Sequence, residues 1–490
     1  MKFTVLSHAG LLIQSKSGKS LVCDPWLVGS SYWRSWWNYP PVSKELVNSL
    51  KPDVIYLTHI HWDHFHGPSL EKFDKDTLIL VPKGNYDRNK VDLIGLGFTN
   101  IKELRHGETY LIDNGFQLTS YQFGVFLDSA PMIECDGVKL LNLNDSKHMG
   151  PTLRQIINRH PAIDFVFRSH SSANSRLSYE IVDEQTQQHS DDIDKYVREF
   201  AETVLAVGAK YAIPFASNHC HLHKDSWHYN RYVQTPLMVQ EYFQQHHVGG
   251  TELKVMVSGD SWSSETGFYI SPNTEQWFLK REENLLEYRE NQHDKLEEFY
   301  NQEDRIKLSK RIVEKYYADL AKKLPFFLKR KLKDVTYTYV LYKAGKPGYI
   351  YNINVATGTV TELPAETPLD YGLYPIQIHT TAFIFIRCIA FRIFSHMSIG
   401  KRVFYRVSKA GKPKMELLNS IYNLDEYDML PLKRILSKRS LETWMLRWRE
   451  LLLYAMLVRD RVFYGRFRIS RYLKPRINVH AVGNTQTVNA

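Results

Sequence analysis

The chain of 490 residues is 43% hydrophobic and carries a formal net charge of +10, so it is too long for one ordinary domain and apolar enough for sizeable cores. Its four cysteines, Cys23, Cys135, Cys220 and Cys388, lack CxxC spacing, which excludes a disulfide framework or zinc knuckle and points to a reducing compartment, the cytoplasm. No run approaches about 18 uncharged apolar residues, the nearest, Thr380–Ser398, being broken by Arg387 and Arg392, so no transmembrane segment is predicted.

The N-terminus enters a strand pattern at once and lacks the apolar core and cleavage site of a signal peptide. Lys2–Leu6, Leu11–Gln14 and Ser20–Cys23 read as strands, the third delivering Asp24 to a turn closed by Pro25. Trp26 to Pro41 is dense in aromatics, among them Trp36 and Trp37. Such a loop can wall a pocket and touch a flat substrate, or it can plug the core. Ser43–Leu50 is a predicted helix. The apolar run Val54-Ile55-Tyr56-Leu57 then reads as a buried strand.

That strand ends in Thr58-His59-Ile60-His61-Trp62-Asp63-His64-Phe65-His66-Gly67. His59 and His61 are two apart, so in extended backbone they point the same way. Asp63 and His64 follow in the turn. One loop can thus serve two metal ions, as two-metal sites require. Further strands are predicted at Thr77–Val81, Gln117–Tyr121, Ala130–Cys135, Lys139–Leu143, Phe165–Arg168 and Tyr211–Phe215. Their exits carry Asp145, then His170 with Asn174, then His219, His221 and His223. Ligand-type residues at one strand end after another argue for one site along one sheet edge.

From about residue 280 the texture changes to Lys-, Glu-, Arg- and Gln-rich helices, with strands again over Val335–Thr361 and longer apolar strands over Leu373–Val407. Three regions are expected: a catalytic domain over 1–278, a charged helical connector over 279–334, and a C-terminal α+β domain over 335–490. Leu441–Val458 reads as an amphipathic helix with Trp444, Trp448, Leu451 and Leu452 on one side. From Lys433 to Arg476, thirteen Lys or Arg face only Glu442, Glu450 and Asp460. No nucleic-acid motif accompanies this basic run, so no specific nucleic-acid partner is expected.

Imidazole and carboxylate together suit zinc, iron or manganese without thiolates. His59 and His61 with one more histidine would hold one ion. Asp63 and His64 with a late histidine would hold the second, and Asp145 would bridge. The H-x-H-x-D-H motif and the order of these residues resemble the metallo-β-lactamase superfamily, an αββα sandwich of the α/β (α+β) class with its metal site at one edge. Asp24-Pro25-Trp26-Leu27-Val28-Gly29, Trp36-Trp37, Pro40-Pro41, Leu141-Asn142-Leu143-Asn144-Asp145, Ser171-Ser172-Ala173-Asn174 and Pro214-Phe215-Ala216 are further similar to the metal-binding half of the CMP-N-acetylneuraminate hydroxylases. That resemblance implies that His59, His61, Asp63, His64 and Asp145 are ligands, with Asp63 and Asp145 at the chemistry. It favours His223 as the late ligand, whereas strand-end position favours His219, and His221 is a third candidate.

The superfamily's usual histidine between the cluster and the bridging aspartate is missing, because no histidine lies between His106 and His148. Gln122, Asp128 or a water is the expected substitute. His8, Asp24, Trp37, Asp128, His170, Asn174 and His221 are expected around the ligands or against substrate. No C-x-H accompanies the C-x-x-H at Cys220 and His223, so the hydroxylases' Rieske cluster has no ligand set here. The expected cofactors are two divalent ions, iron or zinc, with manganese also suited. Two activities follow as expectations. One is an O2-dependent hydroxylase of an amino-sugar or similar polar small molecule, fed by a separate ferredoxin or Rieske protein. The other is a hydrolase of a lactone, ester, amide or phosphodiester.

Overall fold

The computed structural model describes residues 1–171, 176–183, 193–246, 248–464 and 472. Two sheets face each other. The first has eight strands in the order Gly267–Tyr269, Ser261–Ser263, Lys2–Val5, Leu11–Gln14, Ser20–Cys23, Val54–Tyr56, Leu78–Pro82, Ile101–Leu104. The second has seven, in the order Glu252–Leu253, Tyr211–Phe215, Phe165–Ser169, Val138–Asn144, Asp128–Cys135, Phe116–Phe123, Glu108–Asp113.

Side-chain alternation explains the layering, since successive residues of a strand face opposite sides. Phe3, Leu11, Val54 and Tyr56 meet Phe116, Leu118, Phe165 and Phe167 between the sheets. The odd neighbours point outward: Ile55 and Ile79 pack on Leu70, Phe73 and Leu93, and Val166 and Ala212 pack on Phe200, Val204 and Phe243. Helices therefore cover both outer faces. This is the αββα sandwich of an α/β (α+β) protein, and the parallel strands Val54–Tyr56 and Leu78–Pro82 are apolar because both faces are covered.

A second core lies in the C-terminal region. Its six-stranded sheet runs Tyr179–Ile181, Val403–Val407, Ile376–Thr381, Tyr337–Lys343, Lys346–Asn354, Thr359–Leu363. The first of these strands comes from the middle of the chain and pairs in parallel with Val403–Val407. Lys310–Lys323, Ala382–Phe391 and Lys412–Glu426 pack on the sheet, and Trp33 from the aromatic loop enters the same core. The helices Arg281–Asn291 and His293–Asp304 place Leu285 and Leu296 against Trp37 and Tyr39. The aromatic loop is thus a plug between the sandwich and the rest of the chain.

Two sequence expectations are corrected. The apolar stretch Leu373–Val407 is not all strand: Ala382–Phe391 is a helix, whose cap Thr381 accepts from the Ile384 amide at 3.2 Å. Its exposed positions carry Ala390 and Phe391 beside the single charge of Arg387, so the stretch lacks the polar face that would betray a helical period. The predicted helix Leu441–Val458 is two helices, Lys438–Leu446 and Trp448–Tyr464, and its Trp448, Leu451 and Leu452 side faces out. The docked side carries Leu453 and a buried pair in which Arg447 Nε donates to Glu450 Oε2 at 2.9 Å. The C-terminal stretch 482–490, which the sequence presents as a loose tail, lies outside the described residues.

Candidate metal centre

The strand Val54–Tyr56 stops where Thr58 turns to Asp24. The Thr58 amide and hydroxyl donate to Asp24 Oδ1 and Oδ2 at 2.8 and 2.7 Å. Asp24 can reach back because its φ is 46°, a left-handed conformation that Asp tolerates. The amides of His64 and Phe65 then donate to the His61 carbonyl at 2.9 and 2.7 Å, closing a tight turn over the sheet edge. Ser129 Oγ donates to the Thr58 carbonyl at 2.7 Å, and Asn144 Nδ2 to the Ser129 carbonyl at 2.9 Å. These bonds tie the loop to the strand end that presents Asp145.

Four histidines and two aspartates meet here. His8 Nε2 lies 3.0 Å from Asp63 Oδ2, and His64 Nε2 lies 3.5 Å from both Asp63 Oδ2 and Asp145 Oδ2. His59 Nε2 is 2.9 Å from His61 Nδ1. Two groups of donor atoms result, His8–Asp63–His64 and His59–His64–Asp145, which share His64. The residues fit a metal pair on a direct observation: the facing nitrogens of His8 and His64 are buried without a hydrogen bond, although carboxylate oxygens lie beside them. Atoms so placed converge on a point and not on each other. The donor set is nitrogen and oxygen only, which suits iron, zinc or manganese.

The second layer sets ring orientation. His64 Nδ1 donates to Asp24 Oδ2 at 2.8 Å, and Thr58 Oγ1 lies 3.0 Å from His59 Nδ1. Each contact fixes one nitrogen so that the other faces inward. Burial opposes charge on His64, but Asp63 and Asp24 outweigh it and hold its pKa well above the ordinary value. Burial likewise opposes charge on Asp63, yet His64 and His8 hold it well below. Burial, with His64 and His61 adding, keeps His59 neutral, the form a ligand needs. Burial and the Asp145 carboxylate push Asp128 up to about 7, so a second acid faces the Asp145 side. The Tyr32 hydroxyl donates to Asp63 Oδ1.

His59, His61, Asp63, His64 and Asp145 are therefore brought together, and His8 joins them as a donor. Asp24 stands behind His64. Of the three late histidines, His219 stacks on Trp36 at 3.6 Å with its ring 5.5 Å from His8, and its Nδ1 is held by the Ser217 carbonyl at 3.1 Å. His221 instead meets Ser35 Oγ through Nδ1 at 3.0 Å. His223 accepts from the Asp225 amide at 3.2 Å and lies 3.6 Å from Glu303, in a separate ionic network with Arg402. Its conformation leaves the histidine pattern after Cys220 split between two places. His170 is buried near His8, and burial, with His8 adding, pushes its pKa down to about 3. Trp37 is held in the apolar core, with Nε1 donating to the Arg34 carbonyl at 3.3 Å. Gln122 Nε2 is used by the Leu104 carbonyl and Ser120 Oγ, at 2.9 and 3.0 Å. Asn174 lies outside the described residues. Tyr32 and His396, both buried beside the cluster, were not among the expected site residues; neither sits in a motif, and His396 lies more than three hundred residues further along the chain.

Residues 2–126 match the family model described as "Beta-lactamase superfamily domain". A stretch of 154 residues is 32% identical to the cytidine monophosphate-N-acetylneuraminic acid hydroxylase of Mus musculus, covering 30% of this chain and 26% of that protein. The protein described as inactive cytidine monophosphate-N-acetylneuraminic acid hydroxylase of Homo sapiens is 30% identical over 152 residues, again 30% of each chain. The chain thus spans about a quarter to a third of the length of these relatives. Among solved structures, the isothiocyanate hydrolase from Delia radicum gut bacteria is similar at 15% identity and a TM-score of 0.40, over 54% of this chain and 99% of that one.

Proposed function

We propose that this chain, which carries a beta-lactamase superfamily domain over residues 2–126, is a dinuclear-metal oxygenase that hydroxylates a polar small molecule with electrons from a separate protein. The observation that carries the reading is the pair of donor groups sharing His64, together with likeness to a hydroxylase over 154 residues. The reaction balances as C–H plus O2, two electrons and two protons giving C–OH and water. Two bound iron ions would supply the oxygen-activating chemistry. The donor of electrons is a ferredoxin or Rieske protein, since the four cysteines of this chain are scattered and each is buried and free.

The protein's own groups bind, orient and manage protons. His59, His61, Asp63, His64 and Asp145 would hold the ions, with His8 and His219 on the Asp63 side. Asp24 fixes the His64 ring. Asp128, with a pKa near neutrality beside Asp145, is placed to hold or release one proton at its carboxyl oxygen. The buried plug of Trp26, Tyr32 and Trp36 keeps water from the back of the site.

The experiment is anaerobic purification, iron and zinc analysis, and oxygen uptake with a reductant. Two irons per chain and reductant-dependent oxygen uptake support the reading. Tight zinc with turnover in the absence of oxygen replaces it with a hydrolase acting on a lactone, ester, amide or phosphodiester. The specific observation that favours this second reading is the donor set itself, which accepts zinc as readily as iron.

A further inference from the structure

We propose that His396, carried by the C-terminal domain, supplies an imidazole to the metal held at His59 and His61. The inference rests on the metal-centre reading and adds a residue that lies outside the sandwich altogether.

His396 sits in the short helix Ser395–Ile399 and is fully buried. Both of its ring nitrogens lack a hydrogen-bond partner. A buried nitrogen without a partner costs free energy; His8 and His170 share the feature, and His396 is the one of the three whose ring stands against His61. A residue needed for packing alone would be served better by phenylalanine. The ring stands among Tyr32, Trp62 and His61, with centroids 4.9, 4.7 and 5.7 Å away. The His61 spacing lets two imidazoles meet on one ion, given metal–nitrogen bonds of about 2.1 Å. Neither His61 nor His396 belongs to the two tight donor groups, although His61 Nδ1 faces His59 Nε2 at 2.9 Å, so His396 reaches the ion only as the ring closes toward His61. The tight group at His59 is completed by His64 and Asp145; on the far side of His61, His396 is the buried, unpartnered imidazole. The same assignment fills the gap left by the absence of any histidine between His106 and His148.

The helix is seated firmly enough to serve. Ser395 Oγ donates to Glu426 at 2.8 Å, and Arg88 donates to the Phe391 and Arg392 carbonyls at 2.9 and 3.2 Å. Gly400 ends the helix against the aromatic loop: a Cβ there would lie 2.7 Å from the Tyr32 carbonyl oxygen. Tyr32 in turn donates to Asp63. The C-terminal region thus reaches the centre through the Gly400–Tyr32 backbone approach and the Tyr32 hydroxyl, beside the ring contacts of His396 with His61 and Trp62.

The test compares metal-free and metal-loaded full-length protein as wild type, His396→Gln and His396→Phe. Metal is counted by mass spectrometry, affinity is read by chelator competition, and the cobalt(II)-substituted form is read by its visible absorption. Both variants are expected to weaken one of two sites by about tenfold or more and to change the cobalt bands. His396→Phe is further expected to raise the melting temperature of the metal-free protein, because it removes two unpartnered nitrogens. Wild-type affinity and unchanged cobalt bands in both variants would overturn the proposal. A variant that fails to fold without metal also counts against it, since it marks the ring as a packing element. If wild-type protein binds no metal at all, the reading of the centre fails and not this assignment alone.

Discussion

Asp24 and His64 are forty residues apart and share a hydrogen bond of 2.8 Å between Oδ2 and Nδ1, both side chains fully buried. The bond turns His64 Nε2 toward Asp63 and Asp145, which makes Asp24 the residue that aims the shared histidine. Asp24→Asn keeps the size and tolerates the left-handed backbone but weakens the acceptor. Its expected effect is a loss of about ten- to hundredfold in metal affinity, with the fold retained. Chelator competition on the purified variant measures it, and unchanged affinity would remove Asp24 from the site.

His61→Ala and Asp63→Ala are expected to abolish one or both ions and all turnover. Metal analysis beside circular dichroism separates loss of ligand from loss of fold. Activity that survives both changes would mean that the centre lies elsewhere.

Acid stability should depend on Glu303. Burial opposes its charge, but Arg402 and His223 outweigh burial and lower its pKa from 4.5 to about 2. A carboxylate with a depressed pKa stabilises the fold above its unfolded pKa, and that contribution is lost as pH falls from about 4.5 toward 2. At about 1.4 kcal/mol per unit the contribution is roughly 3 kcal/mol. Glu303→Gln should therefore lower stability at pH 7 and flatten the acid limb of a urea-midpoint profile. A variant with the wild-type acid limb would contradict the ionic network.

The orientation of the C-terminal helix predicts an asymmetry. Arg447→Met leaves Glu450 buried without its partner and should cost about 3–5 kcal/mol. Trp448→Ala, on the half-exposed side, should change stability by less than about 0.5 kcal/mol. Equal costs in thermal or urea unfolding would reverse the assigned faces.

Much of the sandwich was legible because its strands are short, near-continuous apolar runs, and because ligand-type residues followed them. The loop from His59 to His64 announced itself by residue type alone. His8 carried less signal, as a lone histidine after one strand, and its closeness to Asp63 depends on how two distant edges meet. The late histidines were ambiguous for a physical reason: His219–His221 is a strand paired with Trp36–Asn38, and the chain then turns, so His219 and His223 face different networks. Trp37 read as a substrate wall because nothing in sequence says that Leu285 and Leu296 cover it. His396 was invisible, since a histidine on an apolar helix is ordinary until its neighbours are known.

The parallel pairing of Tyr179–Ile181 with Val403–Val407 has a temporal side. During synthesis the first of these strands emerges more than two hundred residues before its mate. Until the C-terminal sheet exists, it has no native edge to join, so it waits as an open template for wrong partners. A chain truncated after the sandwich would keep that strand permanently unmated. The expected result is aggregation of the N-terminal fragment on its own and rescue when the C-terminal fragment is produced alongside it, which makes the two halves obligate companions in biogenesis.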